Sequence, residues 1–187
     1  MSHHVYHTRA LVMRAVPSGE ADMTLELFTK DWGRITAHTR GLRREASRLR
    51  YILQPMSWVL ASVVRGAGGW RLTTANPDTL PPLHRGGRSS LSRVSRIVQK
   101  FFPHEVMSQQ VFDGLILHTQ KLAGSSGRVN DWEAVTLARM FQHLGYWGED
   151  TTSIAFSEDG IDGDCLTEEE RAKLVREINR ILRTVHT

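Results

Sequence analysis

The 187-residue sequence has little cysteine and no long hydrophobic run. Its one cysteine, Cys165, excludes an internal disulfide and any zinc module built from this chain's cysteines alone, so we expect a free thiol. The apolar runs are far shorter than the ~20 residues that a bilayer span requires. The N-terminus, which begins Met1-Ser2-His3-His4, has neither the cationic nor the apolar region of an export signal. We therefore expect a cytoplasmic protein.

The sequence also lacks the motifs of the common enzyme classes. It contains no HExxH, Walker A, GxSxG or dinucleotide-binding pattern. His3, His4 and His7 are close enough to chelate a metal, but a solvated terminal tail explains them better. The acidic stretch 159–164 resembles a calcium loop without the closing glutamate, which favours a surface loop over residues 148–166. We expect no catalytic site, no metal and no cofactor.

Charge is distributed unevenly along the chain. Residues 1–100 carry 16 Lys and Arg against 6 Asp and Glu, a net charge of +10. Residues 101–187 carry 8 against 14, a net charge of −6. The first half is therefore suited to a polyanion, whereas the acidic second half argues against nucleic acid wrapping around the whole molecule.

The first half alternates with the period of two that is typical of strands, between regularly spaced turns. Glycine-containing turns, among them Trp32-Gly33, separate the segments, and Gly33 suits a positive φ. Five strands in about 70 residues are too few for an immunoglobulin-like sandwich and fit an OB-type β-barrel, with an SH3-like barrel as the alternative. The predicted strands are residues 8–16, 21–29, 34–39, 58–64 and 70–75, with a connector or short helix at 42–50.

The second half changes to helical periodicity after a Pro- and Gly-rich linker at 76–87. We predict helices over 91–101, over 105–122 and from Asn130, with Asn130 and Glu133 as a capping box and Gly145 as the stop. Thr167 and Glu170 form the capping box of a last helix. The predicted fold is α+β by domain, with an OB-fold nucleic-acid-binding domain at 1–80 and an all-α helical domain at 81–187.

A cluster of arginines is the strongest functional signal. Guanidinium groups bind phosphate with two hydrogen bonds and stack on bases, which favours nucleic acid over a merely solvated face. Trp32 lies at a neighbouring turn and is a candidate base-stacking surface, although a core position explains it equally well. A second run of arginines falls on the linker and the first predicted helix. The candidate nucleic-acid-binding residues are Arg34, Arg40, Arg43, Arg44, Arg48, Arg50, Trp32, Arg88, Arg93 and Arg96.

Short segments in a fixed order carry a family resemblance that spans nearly the whole chain. They are Ala10-Leu11-Val12-Met13-Arg14, Gly19-Glu20-Ala21-Asp22, Leu27-Phe28-Thr29, Trp32-Gly33-Arg34, Thr39-Arg40-Gly41-Leu42-Arg43-Arg44, Leu53-Gln54-Pro55 and, more loosely, Leu144-Gly145-Tyr146. In these segments the chain resembles the bacterial RecO family of DNA repair proteins, which are recombination mediators. Many members carry a cysteine zinc module after the position of Leu144-Gly145-Tyr146, where this chain has only Cys165, so the resemblance implies a short variant without zinc.

The resemblance implies a protein without catalytic turnover that binds and anneals single-stranded DNA. It further implies that the protein helps to load the recombinase RecA together with RecR, and that it contacts the acidic tail of single-strand binding protein. Duplex DNA is a further candidate ligand. From the residues alone, an RNA-binding OB-fold protein and an adaptor that binds acidic peptides remain open alternatives.

Overall fold

A computed structural model describes residues 4–41, 49–124, 128–147 and 166–184. Arg43, Arg44, Arg48 and Cys165 lie outside the described residues, as does the predicted acidic loop up to residue 165. In chain order the elements are β1 (Val5–Pro17), β2 (Met23–Thr29), β3 (Gly33–Thr39), α1 (Leu49–Ile52), β4 (Trp58–Gly66), β5 (Gly69–Pro77), α2 (Arg85–Phe101), α3 (Gln109–Gly124), α4 (Val129–His143) and α5 (Glu168–Thr184).

The strands form a closed barrel in the order β1-β2-β3-β5-β4. Neighbouring strands are antiparallel except β3 and β5, which run parallel and pair only at Ala37 with Trp70 and at His38 with Arg71. A five-stranded barrel followed by helices confirms the predicted fold class. Because the five predicted strands overlap the observed ones, the period of two in the sequence located them correctly.

Small and branched residues fill the barrel, with Leu25 and Leu27 of β2 and Ile35 of β3 fully buried at its centre. On β1 the residues inside are Ala10 and Val12, whereas Leu11 and Met13 are buried outside this cluster. β1 is therefore buried on both faces. Gly33 has φ +61°, as predicted for its turn, and a Cβ there would lie 2.0 Å from the carbonyl oxygen of Val106.

The chain is divided into two packing units. One comprises Met1–Leu80 with Ser95–Phe112, and the other comprises Pro81–Val94 with Asp113–Thr187. In the first unit, the Phe28 ring packs against Phe102 and Phe112, with centroids 6.2 and 6.1 Å away, and Trp58 packs on Phe112 at 5.5 Å. The domain boundary between residues 80 and 81 stays a prediction.

Three helix starts differ from the prediction. The helix expected over 91–101 begins six residues earlier, at Arg85, so residues 85–87 of the expected linker are helical. The helix expected from Glu105 begins at Gln109, because Glu105 has φ +58° and cannot continue a right-handed helix. The expected capping box at Asn130 is wrong: α4 begins at Val129 with Arg128 at the N-cap and no side-chain cap. Glu133 binds Arg93 instead. The capping box of α5 is confirmed, since Thr167 N–H donates to Glu170 Oε2 at 2.9 Å.

Candidate nucleic-acid interface

An open groove of about 660 Å³ lies on the barrel within the first unit. Its walls are the turn between β1 and β2, the end of β3, and the hairpin that joins β4 to β5. In OB-folds the β2–β3 face and the β1–β2 and β4–β5 loops bind oligonucleotides and oligosaccharides. The groove therefore occupies the position where barrels of this type bind extended polymers.

Two exposed arginines line this groove from different strands. Arg40 follows the end of β3, and Arg71 lies on β5 opposite His38, which also lines the groove. His38 Nδ1 lies 3.1 Å from the Thr24 hydroxyl. Asp22 adds a carboxylate to the groove, but one of its oxygens accepts the backbone N–H of Gly41 at 3.0 Å. The groove thus offers two guanidinium groups to an anion.

Glycines form much of one wall of the groove. A Cβ added at Gly66, Gly68 or Gly69 would find no atom within 4 Å among the described residues, so this wall is open backbone. Gly69 has φ +92°, which side chains of L-amino acids rarely adopt. A glycine wall allows a ligand to approach the main chain closely.

Arg34, the first arginine of the predicted cluster, is engaged inside the protein. Its Nε lies 3.3 Å from Glu26 Oε1, and its Nη1 donates to the carbonyl oxygen of Gln99. Only 14% of its side chain is exposed. Arg34 therefore connects β3 to neighbouring segments, and it does not line the groove.

Trp32 packs within a cluster of aromatic rings. Its centroid lies 5.2 Å from that of Tyr6 and 5.1 Å from that of Trp70. Trp70 is buried, with 4% of its surface exposed, and Trp32 is half-buried against the barrel core. The core interpretation therefore accounts for most of the Trp32 surface.

Comparisons with known proteins match most of this chain. The family model described as "Recombination protein O N terminal" matches residues 1–77. DNA repair protein RecO of Sodalis glossinidius is 29% identical over 160 residues, 85% of this chain and 61% of the relative. RecO of Klebsiella pneumoniae is 28% identical over 155 residues, 82% of this chain and 63% of the relative. RecO of Heliobacterium modesticaldum is 35% identical over 81 residues, 43% of this chain and 30% of the relative.

Over most of its length the chain is similar to RecO proteins, and its first 77 residues match the model of the RecO N-terminal domain. It spans about three fifths of the length of the curated RecO proteins that it matches over most of its own residues. The family model covers the whole barrel, from β1 to the end of β5, and so includes every residue that lines the groove.

The other candidate residues are divided among several places. Arg50 is exposed on α1, next to Tyr51, which is 75% exposed. Arg88 and Arg96 are exposed on α2. Arg93 donates two hydrogen bonds to Glu133, at 2.8 Å from Nε and 2.6 Å from Nη2, and these raise the pKa of Arg93. Of the predicted residues that the structure describes, only Arg40 lines the groove.

Arg71 is the groove cation that the predicted set missed. A signal was present: Trp70 and Leu72 are buried on either side of it, so the period of two places Arg71 on the outer face of β5. Arg71 lies outside the arginine cluster on which the prediction was based, 21 residues beyond Arg50.

Within the described part of the chain, no helix is long and apolar enough to cross a membrane. No group of three or more His, Cys, Asp or Glu side chains is placed to hold a metal ion in those same ranges. The predicted absence of zinc stays a prediction, because Cys165 lies outside them.

Proposed function

We propose that the groove binds the sugar–phosphate backbone of single-stranded DNA. The observation that carries the proposal is the pair of exposed arginines, Arg40 and Arg71, between the two loops that OB-folds use to bind oligonucleotides. A guanidinium group matches a phosphate with two parallel hydrogen bonds. The open glycine wall supports the proposal, because it leaves room for a backbone to lie against the hairpin.

The remaining candidates extend the proposed site to different degrees. Arg43, Arg44 and Arg48 come directly after Arg40 in the chain and would continue the path of cations. Arg50, Arg88 and Arg96 are exposed and stay candidates. We assign Arg34 and Arg93 to folding. The Gln99 carbonyl oxygen accepts a hydrogen bond from Arg34, which is also ion-paired with Glu26, and the Glu133 carboxylate accepts hydrogen bonds from Arg93. Trp32 would stack on a base only through its exposed part.

We further propose that the chain takes part in DNA repair by recombination without catalysing a reaction. Its relationship to proteins named DNA repair protein RecO supports this role. In this role the protein would anneal single strands of DNA. Together with RecR it would help to load RecA onto strands that are covered by single-strand binding protein, and it would contact the acidic tail of that protein. These steps would take place in the cytoplasm at the nucleoid.

Fluorescence anisotropy of a labelled single-stranded oligonucleotide, measured over a salt series, tests the proposal. About six phosphate contacts predict a double-logarithmic salt slope of about −4. Removing two contacts in Arg40→Gln/Arg71→Gln should make the slope less negative by about 1.4 and weaken binding of all sequences alike. Arg14→Gln/Arg176→Gln removes the same charge from two exposed positions outside the groove and serves as the matched control.

Each outcome favours one interpretation. An equal loss of affinity in both double variants would reject the groove as the site. Tighter binding of an RNA competitor than of DNA would favour an RNA-binding protein, because the 2′-hydroxyl distinguishes the two ligands. No affinity for any nucleic acid at low salt would favour the adaptor that binds acidic peptides.

A further inference from the structure

The connector between α2 and α3 completes one side of the barrel. β3 pairs with β5 only near its C-terminal end, at Ala37 and His38. Nearer its start, Arg34 instead forms a parallel bridge with His104, and the Glu105 N–H donates to the Arg34 carbonyl oxygen at 2.8 Å. The backbone of the connector therefore lies beside β3 where β5 is absent.

This backbone position brings the Glu105 carboxylate to the hairpin that forms a wall of the groove. Trp70 Nε1 donates to Glu105 Oε1 at 2.8 Å, and Arg65 Nη2 donates to Glu105 Oε2 at 2.7 Å. The Arg65 guanidinium carbon lies 5.3 Å from the centroid of the Trp70 ring. Trp70 lines the groove, as do Val64 and Gly66 on either side of Arg65, but Arg65 itself does not.

Two properties of Glu105 bear on its control of Arg65. Its φ of +58° is unfavourable for a residue other than glycine and is retained only where surrounding contacts impose it. The pair is also accessible, since 56% of the Arg65 side chain and 40% of the Glu105 side chain are exposed. An exposed pair of this kind contributes little to stability, so the Glu105 carboxylate can be removed without unfolding the barrel, and Arg65 is then accessible to a phosphate.

We propose that Glu105 is a positioning residue that lowers the affinity of the groove for nucleic acid by holding Arg65. In the free protein the carboxylate neutralises Arg65 beside the groove, so Arg65 adds little to phosphate binding. Without that carboxylate, Arg65 becomes a further phosphate ligand on the same hairpin as Arg71. This inference rests on the proposed function, because it concerns the same groove.

The variant Glu105→Gln tests the inference. Its side-chain oxygen still accepts from Trp70 Nε1, but the neutral amide no longer holds the Arg65 charge. One additional phosphate contact should make the salt slope for single-stranded DNA more negative by about 0.7 and tighten binding roughly fivefold at low salt. Urea unfolding of each variant checks that the barrel is intact.

Two further variants separate this effect from a general change in the fold. Arg65→Gln alone should bind almost like the wild type, because Glu105 already neutralises Arg65. Arg65→Gln/Glu105→Gln should return the slope to the wild-type value. A merely structural role of Glu105 predicts the opposite, since loosening the hairpin would weaken binding in Glu105→Gln.

The outcomes keep the two proposals distinct. The proposed function is supported if the wild type binds and Arg40→Gln/Arg71→Gln weakens binding. If Glu105→Gln then leaves the salt slope unchanged or weakens binding, only the inference about Glu105 is overturned. The same holds if Arg65→Gln in the wild-type background loses as much affinity as it does beside Glu105→Gln. A wild type without affinity for nucleic acid would reject the proposed function itself.

Discussion

His118 of α3 is a buried titratable side chain in the helical unit. It is 1% exposed, with Nε2 3.2 Å from the Ser90 hydroxyl and Nδ1 2.9 Å from the Thr136 hydroxyl. The Thr136 hydroxyl donates its one proton to the Trp132 carbonyl oxygen at 2.8 Å, so toward His118 it can only accept. Nδ1 of His118 therefore carries the ring hydrogen, and the Ser90 hydroxyl donates to Nε2. Burial lowers the pKa of His118 to about 4, although the Glu133 charge acts in the opposite direction. The residue is thus held neutral.

We expect this histidine to make the protein less stable in acid. The unfolded chain protonates His118 near pH 6.5 and the folded chain only near pH 4, so stability falls as the pH drops through that window. The loss approaches about 3 kcal/mol, and below pH 4 this residue adds no further loss. NMR titration of the His118 ring, together with urea unfolding at several pH values, measures both quantities.

The expected pH dependence has an internal control. In His118→Phe the stability should change less between pH 6.5 and 4 than in the wild type, whatever the variant loses in absolute stability by leaving Ser90 and Thr136 without their partner. A ring that titrates at its ordinary value in the folded protein would contradict the assignment.

At the scale of elements, an ion pair fastens the segment after β5 to β1. Arg9 donates from Nε to Asp78 Oδ2 at 2.5 Å and from Nη2 to Oδ1 at 2.8 Å, and the Asp78 side chain is 3% exposed. Burial alone would raise the pKa of Asp78, but the hydrogen bonds and charge of Arg9 lower it overall. The N–H of Leu80 also donates to Asp78, at 3.2 Å. The Asp78 carboxylate therefore holds the segment that follows β5 against β1.

We expect Asp78→Ala to destabilise the protein by about 2 kcal/mol. The value is below that for a fully buried pair, because 29% of the Arg9 side chain is exposed and water partly replaces the lost carboxylate. Urea unfolding measures the difference. Glu177→Ala breaks the exposed pair with Arg180 on α5 and should leave the unfolding midpoint nearly unchanged. Equal effects of the two substitutions would show that the Asp78 pair has no special role.

At the scale of the whole molecule, the barrel depends on residues that follow it by more than twenty positions in the chain. Phe28 and Trp58 are buried, and the rings that cover them, Phe102 and Phe112, belong to the same packing unit although they lie beyond residue 80. Apolar surface of this size contributes strongly to stability when it is buried.

A fragment of residues 1–80 should therefore be less stable than a fragment of residues 1–112. Without Phe102 and Phe112 the outer faces of Phe28 and Trp58 are exposed to water. We expect the shorter fragment to bind a hydrophobic dye and to unfold at a lower urea concentration. Similar unfolding midpoints for the two fragments would support the boundary predicted at residues 80 and 81.

Local patterns in the sequence were sufficient for the elements themselves. Alternation located the five strands, a glycine at position 33 indicated the left-handed turn, and Thr167 with Glu170 marked the start of α5. These features depend on residues within a few positions of one another, where chain geometry restricts the possible backbone conformations. The same patterns failed at two helix starts where a glutamate is bound by residues distant in the sequence. Arg65 and Trp70 bind Glu105, and Arg93 binds Glu133 of the expected capping box at Asn130.

A basic barrel followed by helices could be predicted from the residues alone, since periodicity and charge are local properties of the chain. Which cations are available to a ligand depends instead on the folded arrangement. Arg34 and Arg40 are six positions apart and alike in sequence, yet Arg34 is held by Glu26 and the Gln99 carbonyl, whereas Arg40 lines the groove with Arg71. Gln99 lies 65 residues from Arg34 in the chain, and Arg71 reaches the groove because β5 pairs with β3 in the barrel. Local sequence patterns do not reveal either contact, because both are set by tertiary packing.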